Sequence, residues 1–370
     1  MRKGWEYKKI GNLCNISTGK LDANAANENG LYPFFTCSKT PLSINSYAYD
    51  CECVLVAGNG DLNVKYYNGK FNAYQRTYIL QLKNNSINVD MRFIYAFFNL
   101  YIEELRRKSI GGIIKYIKLG DLTNAKLPCP PLSTQLTIVS ELDKINELIR
   151  LKKEQLKDFD NLAQSLFYEM FGDPVENEKG WEVKKLGEVC TDIKYGTSKP
   201  ASEKGRYTYL RMCNLTTDGF LDLSNTKQID IPDDEIEKCI VRYGDILFNR
   251  TNSIELVGKT CLFDKKEPMV IAGYIIRVRL NDTLLPVVLA RMFNLASIKK
   301  LLRSMAKGAV NQANINSKEL ASIRIPLPPL SLQRLFAQRI EQIEREKSEV
   351  QKSIQDFETL LASRMQYWFE

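Results

Sequence analysis

Two stretches of this chain alternate apolar and polar positions with unusual regularity. In the first, apolar residues fall at Ile138, Leu142, Ile145, Ile149, Leu156, Phe159, Ala163, Leu166 and Met170, in steps of four and three, with Lys152 the break. In the second they fall at Phe336, Ile340, Ile343, Val350, Ile354, Phe357, Leu361 and Trp368, with Lys347 and Arg364 interrupting the series. A 3,4 spacing held over about five heptads marks the seam of a coiled coil rather than a helix lying on a globular core. Each stretch follows Pro-Pro-Leu-Ser, and the hydroxyl of Ser133 or Ser331 is suited to capping free backbone N–H groups. The spacing predicts helices over 133–171 and 331–370. At ~1.5 Å per residue, helices of about 38 residues reach roughly 55–60 Å. The expectation is that they pair with each other, antiparallel, through Leu142, Ile145, Leu156, Phe159, Ile340, Ile343, Ile354 and Phe357, and hold two globular parts apart. Phe171-Gly172-Asp173-Pro174 closes the first helix, because glycine adopts the left-handed closing conformation and proline cannot continue it. Residues 172–179 read as a short polar linker.

Outside the helices the pattern changes period. Cys53 to Gly58, Thr77 to Leu82 and Ile275 to Leu280 are short β-type runs bounded by turn residues, while Met91 to Arg107 and Pro286 to Met305 read as helical. Each globular part is therefore expected to be α+β, one over 1–132 and the other over 180–330.

The chain is internally repeated. Gly4-Trp5-Glu6-Tyr7-Lys8-Lys9-Ile10-Gly11 aligns without a gap on Gly180-Trp181-Glu182-Val183-Lys184-Lys185-Leu186-Gly187, an offset of 176. Lys126-Leu127-Pro128-Cys129-Pro130-Pro131-Leu132-Ser133-Thr134-Gln135 aligns on Arg324-Ile325-Pro326-Leu327-Pro328-Pro329-Leu330-Ser331-Leu332-Gln333, an offset of 198. The edges of the repeat are kept and the second interior is 22 residues longer. A framework repeated around an altered interior suits one scaffold that recognises two different things.

Composition narrows the chemistry. At 370 residues two domains are the natural expectation. No run approaches 18 uninterrupted apolar residues and the N-terminus lacks a signal-peptide core, which predicts a cytoplasmic protein. There is no histidine, so histidine acid–base work, histidine triads and mixed Cys/His zinc sites are excluded. The nine cysteines lack CxxC pairs and read as reduced thiols. A net charge of +8 is compatible with a polyanionic partner without requiring one. Ala57-Gly58-Asn59-Gly60-Asp61 lacks the Gly-Lys-Ser/Thr of a phosphate loop and reads as a turn between strands. With no cofactor or nuclease motif evident, the chain reads as non-catalytic and metal-free.

The residues that suggest binding lie in polar and basic loops. Arg242 to Ser253 runs from a strand-like segment into amide, hydroxyl and guanidinium groups, the donors and acceptors used on base edges and phosphates. Its counterpart in the first half is Asp50 to Asp61 and the residues after it. The candidate DNA-contacting residues are Lys39, Asn59, Asn63, Lys65, Tyr67, Lys70, Gln75 and Arg76 in the first half. In the second they are Arg211, Asn214, Asn249, Arg250, Thr251, Asn252, Ser253, Lys307, Asn311 and Gln312.

The order of these features resembles the specificity subunit of type I restriction–modification systems. The resemblance rests on the Gly-Trp-Glu-x-Lys-Lys-[Ile/Leu]-Gly openings at 4 and 180, the Pro-x-Pro-Pro-Leu-Ser-x-Gln turns at 128 and 326, and the long helices after them. Tyr243-Gly244-Asp245-Ile246-Leu247-Phe248 and Tyr209-Leu210-Arg211-Met212-Cys213-Asn214 also look like parts of that family's target-recognition domain. It covers essentially the whole chain. The resemblance implies a non-catalytic subunit whose two target-recognition domains each read half of a bipartite, asymmetric double-stranded DNA site. The helices would set the gap and dock methyltransferase subunits, two of them. Motor–nuclease subunits would complete the restriction complex, with S-adenosylmethionine, ATP and Mg held by those partners. Two other readings remain open at this point: a complete methyltransferase or nuclease with an unusual active site, and a coiled-coil adaptor that binds only proteins.

Overall fold

The computed structural model describes residues 4–84, 86, 88–112, 114–309 and 312–369, the side chains of 307–309 and 312 excepted. The chain divides into two compact units, Met1–Glu154 with Val350–Glu370, and Gln155–Glu349. Each long helix thus contributes to both units.

In the first unit, β1 (Glu6–Lys9), α1 (Ile10–Leu13), β2 (Cys14–Thr18), β3 (Tyr32–Phe35), β4 (Leu42–Ile44), β5 (Tyr49–Ala57), β6 (Val64–Ala73) and β7 (Thr77–Leu82) precede α2 (Met91–Lys108), α3 (Leu119–Thr123), β8 (Lys126–Cys129) and α4 (Leu132–Phe171). Six strands form one sheet in the order β2-β7-β5-β6-β3-β4. The long β5–β6 ribbon is antiparallel and in unbroken register from Tyr49↔Phe71 to Val56↔Val64. One face of it, with Val54, Val56 and Leu80, packs on α2, while the other carries Phe35, Cys53, Leu55, Phe71 and Ile79. That two-sided burial turns alternation into continuous apolar runs.

In the second half, β9 (Glu182–Lys185), β10 (Cys190–Tyr195), β11 (Tyr207–Leu210), β12 (Lys227–Ile229), α5 (Ile236–Cys239), β13 (Ile240–Val241), β14 (Ile246–Asn249), β15 (Thr251–Asn252), β16 (Thr260–Leu262), β17 (Met269–Ile271) and β18 (Ile275–Leu280) are followed by α6 (Pro286–Phe293), α7 (Ala296–Met305), β19 (Lys307–Ala309), β20 (Gln312–Asn314), α8 (Ser317–Ala321), β21 (Arg324–Leu327) and α9 (Leu330–Phe369). The six-stranded sheet of the first unit is here divided into β10-β18-β14-β16 and β12-β11-β17-β13, with a small β15-β20-β19 sheet beside them. The division falls where the counterpart of the long β5–β6 ribbon is interrupted, residues 242–245 separating β13 from β14 and residues 263–268 separating β16 from β17.

The repeated edges meet each other. The opening strand pairs antiparallel with the strand before the proline turn in both halves, Lys9↔Lys126 in one and Lys185↔Arg324 in the other. Gly11 and Gly187 hold equivalent places, where an added Cβ would lie 3.0 Å from the Thr123 side chain or 3.2 Å from that of Ala321. The glutamine ending each proline motif is buried and makes the same three hydrogen bonds. Gln135 accepts from Asp90 N (3.0 Å) and donates to Asn88 O (3.0 Å) and Pro130 O (2.8 Å). Gln333 accepts from Leu285 N (2.9 Å) and donates to Thr283 O (3.0 Å) and Pro328 O (2.8 Å). Each glutamine therefore fastens the start of a long helix to the start of the helix packed on the sheet.

Three expectations need correction. The long helices begin at Leu132 and Leu330, so Ser133 and Ser331 lie within the first turn, whose N–H groups are met by the Pro131 and Pro329 carbonyls. The helix expected from Pro286 to Met305 is two helices. Asn294 ends the first by donating to Ala290 O and Thr260 O, each at 2.8 Å, and Leu295 is extended. The run expected from Cys53 starts earlier, at Tyr49, because its outer end continues to pair with β6.

The long helices pair antiparallel within each unit. In the first, Lys153 meets Glu358 (2.8 Å) and Glu141 meets Arg364; Leu142, Ile145 and Ile354 are buried there and Phe357 is half-buried. In the second, Asp160 meets Lys347, and Phe336 packs edge-on against Phe167 and Phe171 at 5.5 and 5.0 Å. Ile340 and Ile343 are buried there, with Leu156 and Phe159 half-buried.

Candidate nucleic-acid interface

Each half brings together a strand end and a returning loop in the same way. In the first, Gly58 N donates to Arg76 O, Ile117 N donates to Gly58 O, and Asn59 bridges Tyr116. In the second, Arg250 N donates to Tyr274 O, Ile315 N donates to Arg250 O, and Thr251 pairs with Asn314. The backbone is repeated; the side chains are not. At Gly58 an added Cβ would lie 2.4 Å from Arg76 O and 3.0 Å from the Tyr78 ring. The equivalent Arg250 carries a full side chain, its guanidinium 4.8 Å from the Tyr195 ring centroid and donating to Gly273 O at 3.4 Å.

In the first half the candidates fall in separate places. Lys39, Asn59, Asn63 and Lys65 share one end of the ribbon. Asn63 donates to Cys37 O and Asp61 O, both at 2.8 Å, and accepts from Lys65. Lys39 pairs with Asp61 at 3.3 Å, and burial pulls the Lys65 ammonium below the usual lysine range. Lys70 lies at the other end of β6, five residues from Lys65 and about 16 Å away at ~3.3 Å per residue. There Lys70 sits over the Tyr47 ring at 4.8 Å, and Tyr67 packs against Phe35 and Phe71 while donating to Lys70 O. Gln75 and Arg76 are exposed in the turn before β7.

In the second half, three candidates do not present themselves to a ligand, and these assignments are corrected. Asn214 is 2% exposed, with its amide spent on Asp222 O and Asn225 O and its oxygen on Arg211 N. Asn249 is fully buried, its oxygen accepting from Thr251 N. Thr251 is buried and donates to Asn314 Oδ1 at 2.8 Å. Asn214 and Asn249 hold loop backbone in place and Thr251 holds the Asn314 side chain, which is the other common use of short polar side chains. Asn63 is of the same kind. Arg211 is turned onto Asn225. Asn252 and Ser253 are half-buried at the rim, Asn252 Oδ1 accepting from Ser253 N. Asn311 and the side chains of Lys307 and Gln312 lie outside the described residues.

Several aromatic residues around these loops were not anticipated: Tyr47, Tyr116, Tyr195 and Tyr274. Tyr195 Oη accepts from Ser317 N at 2.8 Å. Tyr274 is 50% exposed beside Arg250. The available signal was the glycine after each second strand: Gly19 and Gly196 follow β2 and β10, each against a backbone carbonyl at 2.1 Å from an added Cβ. Their alignment places Tyr195 at a repeated position whose side chain differs.

Among the described residues no cluster of three metal-ligating side chains occurs, all nine cysteines are free, and no helix is long and apolar enough to cross a membrane.

Comparison with known proteins agrees with this duplicated frame. The type I restriction modification DNA specificity domain matches twice, at residues 2–158 and 178–356. The type I restriction enzyme EcoDI specificity subunit of Escherichia coli is 40% identical over 153 residues, which are 41% of this chain and 34% of that subunit. The match to the MjaVIII specificity subunit of Methanocaldococcus jannaschii is 23% identical and covers 96% of this chain and 92% of that one. The chain thus spans about a third of the EcoDI subunit but nearly all of the MjaVIII subunit. The crystal structure of a type I system S subunit from M. genitalium has the same fold, with a TM-score of 0.57, 16% identity, and coverage of 100% and 98%. Matched on both of its halves, the chain belongs to the type I restriction modification DNA specificity domain family.

Proposed function

We propose that this chain is the non-catalytic DNA sequence-specificity subunit of a type I restriction–modification complex. Each target-recognition domain, 1–132 and 180–330, reads one half of a bipartite, asymmetric double-stranded site. The helices set the spacing between half-sites and dock two methyltransferase subunits, and motor–nuclease subunits join for restriction. S-adenosylmethionine, ATP and Mg belong to those partners.

The observation that carries this proposal is the pair of equivalent strand ends, Gly58-Asn59 and Arg250-Thr251. The same backbone hydrogen bonds hold both, and the side chains offered there differ. A repeated frame with changed side chains is what recognition of two unlike half-sites requires, since phosphate contacts position and side chains specify.

The test uses the chain assembled with its methyltransferase subunits. Duplex binding should fall steeply with salt, as phosphate contacts demand, whereas an adaptor that binds only proteins would show no DNA affinity to lose. Methylated-base sequencing should reveal two unlike half-sites. Arg250→Ala should relax or weaken one half-site by about 1–3 kcal/mol and leave the other intact. Equal change at both halves, or none, would remove Arg250 from the proposed reading surface. Methylation or cleavage by the purified chain alone would sink the non-catalytic assignment.

A further inference from the structure

Two cations interrupt the apolar seam of α9, Lys347 and Arg364, and each meets an acid of α4. Lys347 pairs with Asp160 and lies 4.6 Å from the Phe220 ring. Arg364 grips Glu141 with two nitrogens, and the same carboxylate accepts from Trp368 Nε1 at 3.0 Å. Because the chain is a repeat, each helix could in principle pair with a second copy of itself. Charges at a helical seam are the usual device for deciding between such partners.

The 198-residue offset shows what self-pairing would bring together. Were two copies of α9 paired in this register, Arg364 would face the residue equivalent to Glu141, which is Arg339. Lys347 would face the equivalent of Asp160, which is Glu358, and keep an acidic partner. Were two copies of α4 paired, Glu141 would face Leu166, the equivalent of Arg364, while Asp160 would face Ile149, the equivalent of Lys347, but also meet Lys153 in the register of the Lys153–Glu358 pair. The Lys347 interruption therefore tolerates both arrangements. The Arg364 interruption does not: self-pairing opposes arginine to arginine in one helix and strands a carboxylate against leucine in the other.

We propose that the Glu141–Arg364 pair is the partner-selecting contact of this chain, making the two long helices choose each other over a second copy of themselves. Trp368 strengthens the choice by adding a third hydrogen bond to the same carboxylate, and its equivalent in α4, Met170, has no N–H to give. The inference rests on the helix pairing alone and stands or falls apart from DNA reading.

The experiment uses the full chain, with light scattering for mass and a zero-length carbodiimide cross-linker for helix partners. Wild type should run at the mass of one chain and give Lys153–Glu358 and Lys347–Asp160 cross-links. Arg364→Glu places an acid opposite Arg339 in a self-paired α9, so a two-chain species should appear with Lys347–Glu358 cross-links between copies. E141R/R339E/R364E, which restores opposite charges within the chain and opposes acid to acid in a self-paired α9, should restore the one-chain mass and the Lys153–Glu358 cross-link. Arg364→Met, which removes charge without reversing it, should lower thermal stability and keep the wild-type cross-links. The proposal fails if Arg364→Glu keeps the one-chain mass and the wild-type cross-links, or if wild type already cross-links Lys347 to Glu358 between copies. If Arg364→Glu does not fold, recovery of wild-type cross-links in E141R/R339E/R364E supports the proposal, and failure of that variant to recover overturns it.

Discussion

The first domain holds Ile79 where the second holds Arg277. Both residues face the strand that ends at the candidate interface, paired with Leu55 in one case and Leu247 in the other. Ile79 lies among Phe35, Cys53, Leu55 and Phe71. Arg277 is 1% exposed, donates to Glu237 O (3.2 Å) and Ile240 O, and pairs with Asp192. Those carbonyls belong to α5 and the residue after it, within the longer interior of the second half. A helix end leaves carbonyls without intrahelical partners, and a buried guanidinium meets two of them at once. The comparison recurs at the loop after the third strand. Asn63 captures the Cys37 carbonyl in the first domain; its equivalent Lys259, with a longer reach, captures Met212 O and Leu215 O in the second. One sheet thus accepts either an apolar or a cationic interior, and the cations appear where added chain must be tied down.

The largest expected effect breaks that difference directly. Arg277→Leu leaves two carbonyls without their partner and Asp192 with only Lys194, at 3.4 Å, and removing one member of a buried pair costs about 3–5 kcal/mol. Ile79→Val, the smaller change on the apolar side, should cost about 0.5–1.5 kcal/mol. Chemical denaturation of the two variants measures both. Similar losses would show that the second domain does not depend on its buried cation.

The next effect tests what the halves share. Gln135→Leu and Gln333→Leu each remove three hydrogen bonds from a buried site and leave one N–H and two carbonyls unmet, at about 1–3 kcal/mol for each stranded group not rehydrated. Because the two networks match bond for bond, the two variants should lose similar stability. A loss confined to one would mean that the repeated geometry conceals different roles.

Much of the frame was legible because it is written in periodicity and repetition. The 3,4 seam marked both long helices, Thr77 to Leu82 and Ile275 to Leu280 are strands to the residue, and the repeated edges turned out to pair with one another. The site was less legible because amide and hydroxyl groups serve two ends equally well. Asn214, Asn249 and Thr251 have the composition of a contact surface but lie buried, Asn214 and Thr251 bonded to neighbouring segments and Asn249 holding Thr251 N through its oxygen alone. Nothing local distinguishes the two uses, since the partners are backbone atoms and side chains of segments up to 63 residues away. The break at Asn294 was hidden for the same reason, its amide being drawn to Thr260 O across the fold.

The smallest expected effect concerns pH and two lysines of the second domain, Lys259 of the comparison and the half-buried Lys299 near it. Lys299 donates to Gly258 O at 3.0 Å, and burial, reinforced by Arg303 and Lys259 and opposed by Asp218, pulls its ammonium down to about 8. Burial also lowers Lys259, in the same neighbourhood. A lysine whose folded value lies below its unfolded value of 10.5 destabilises the fold while charged. That cost is complete below about pH 8 and is relieved as the pH climbs toward 10.5. Other groups oppose the trend, since the Cys261 thiol is pushed up by burial and must stay protonated in the fold. The informative quantity is therefore the difference between Lys299→Met and wild type. The variant loses the hydrogen bond to Gly258 at every pH but escapes the charge cost only where wild type bears it. Its thermal midpoint relative to wild type should accordingly be highest near neutral pH and fall by a few degrees by about pH 10. Substituting Lys65, the lowered lysine of the first domain, should change the same curve in the same direction. A difference that stays flat across this range would mean that Lys299 reaches water freely, and that the cationic interior of the second domain ends at Arg277 and Lys259.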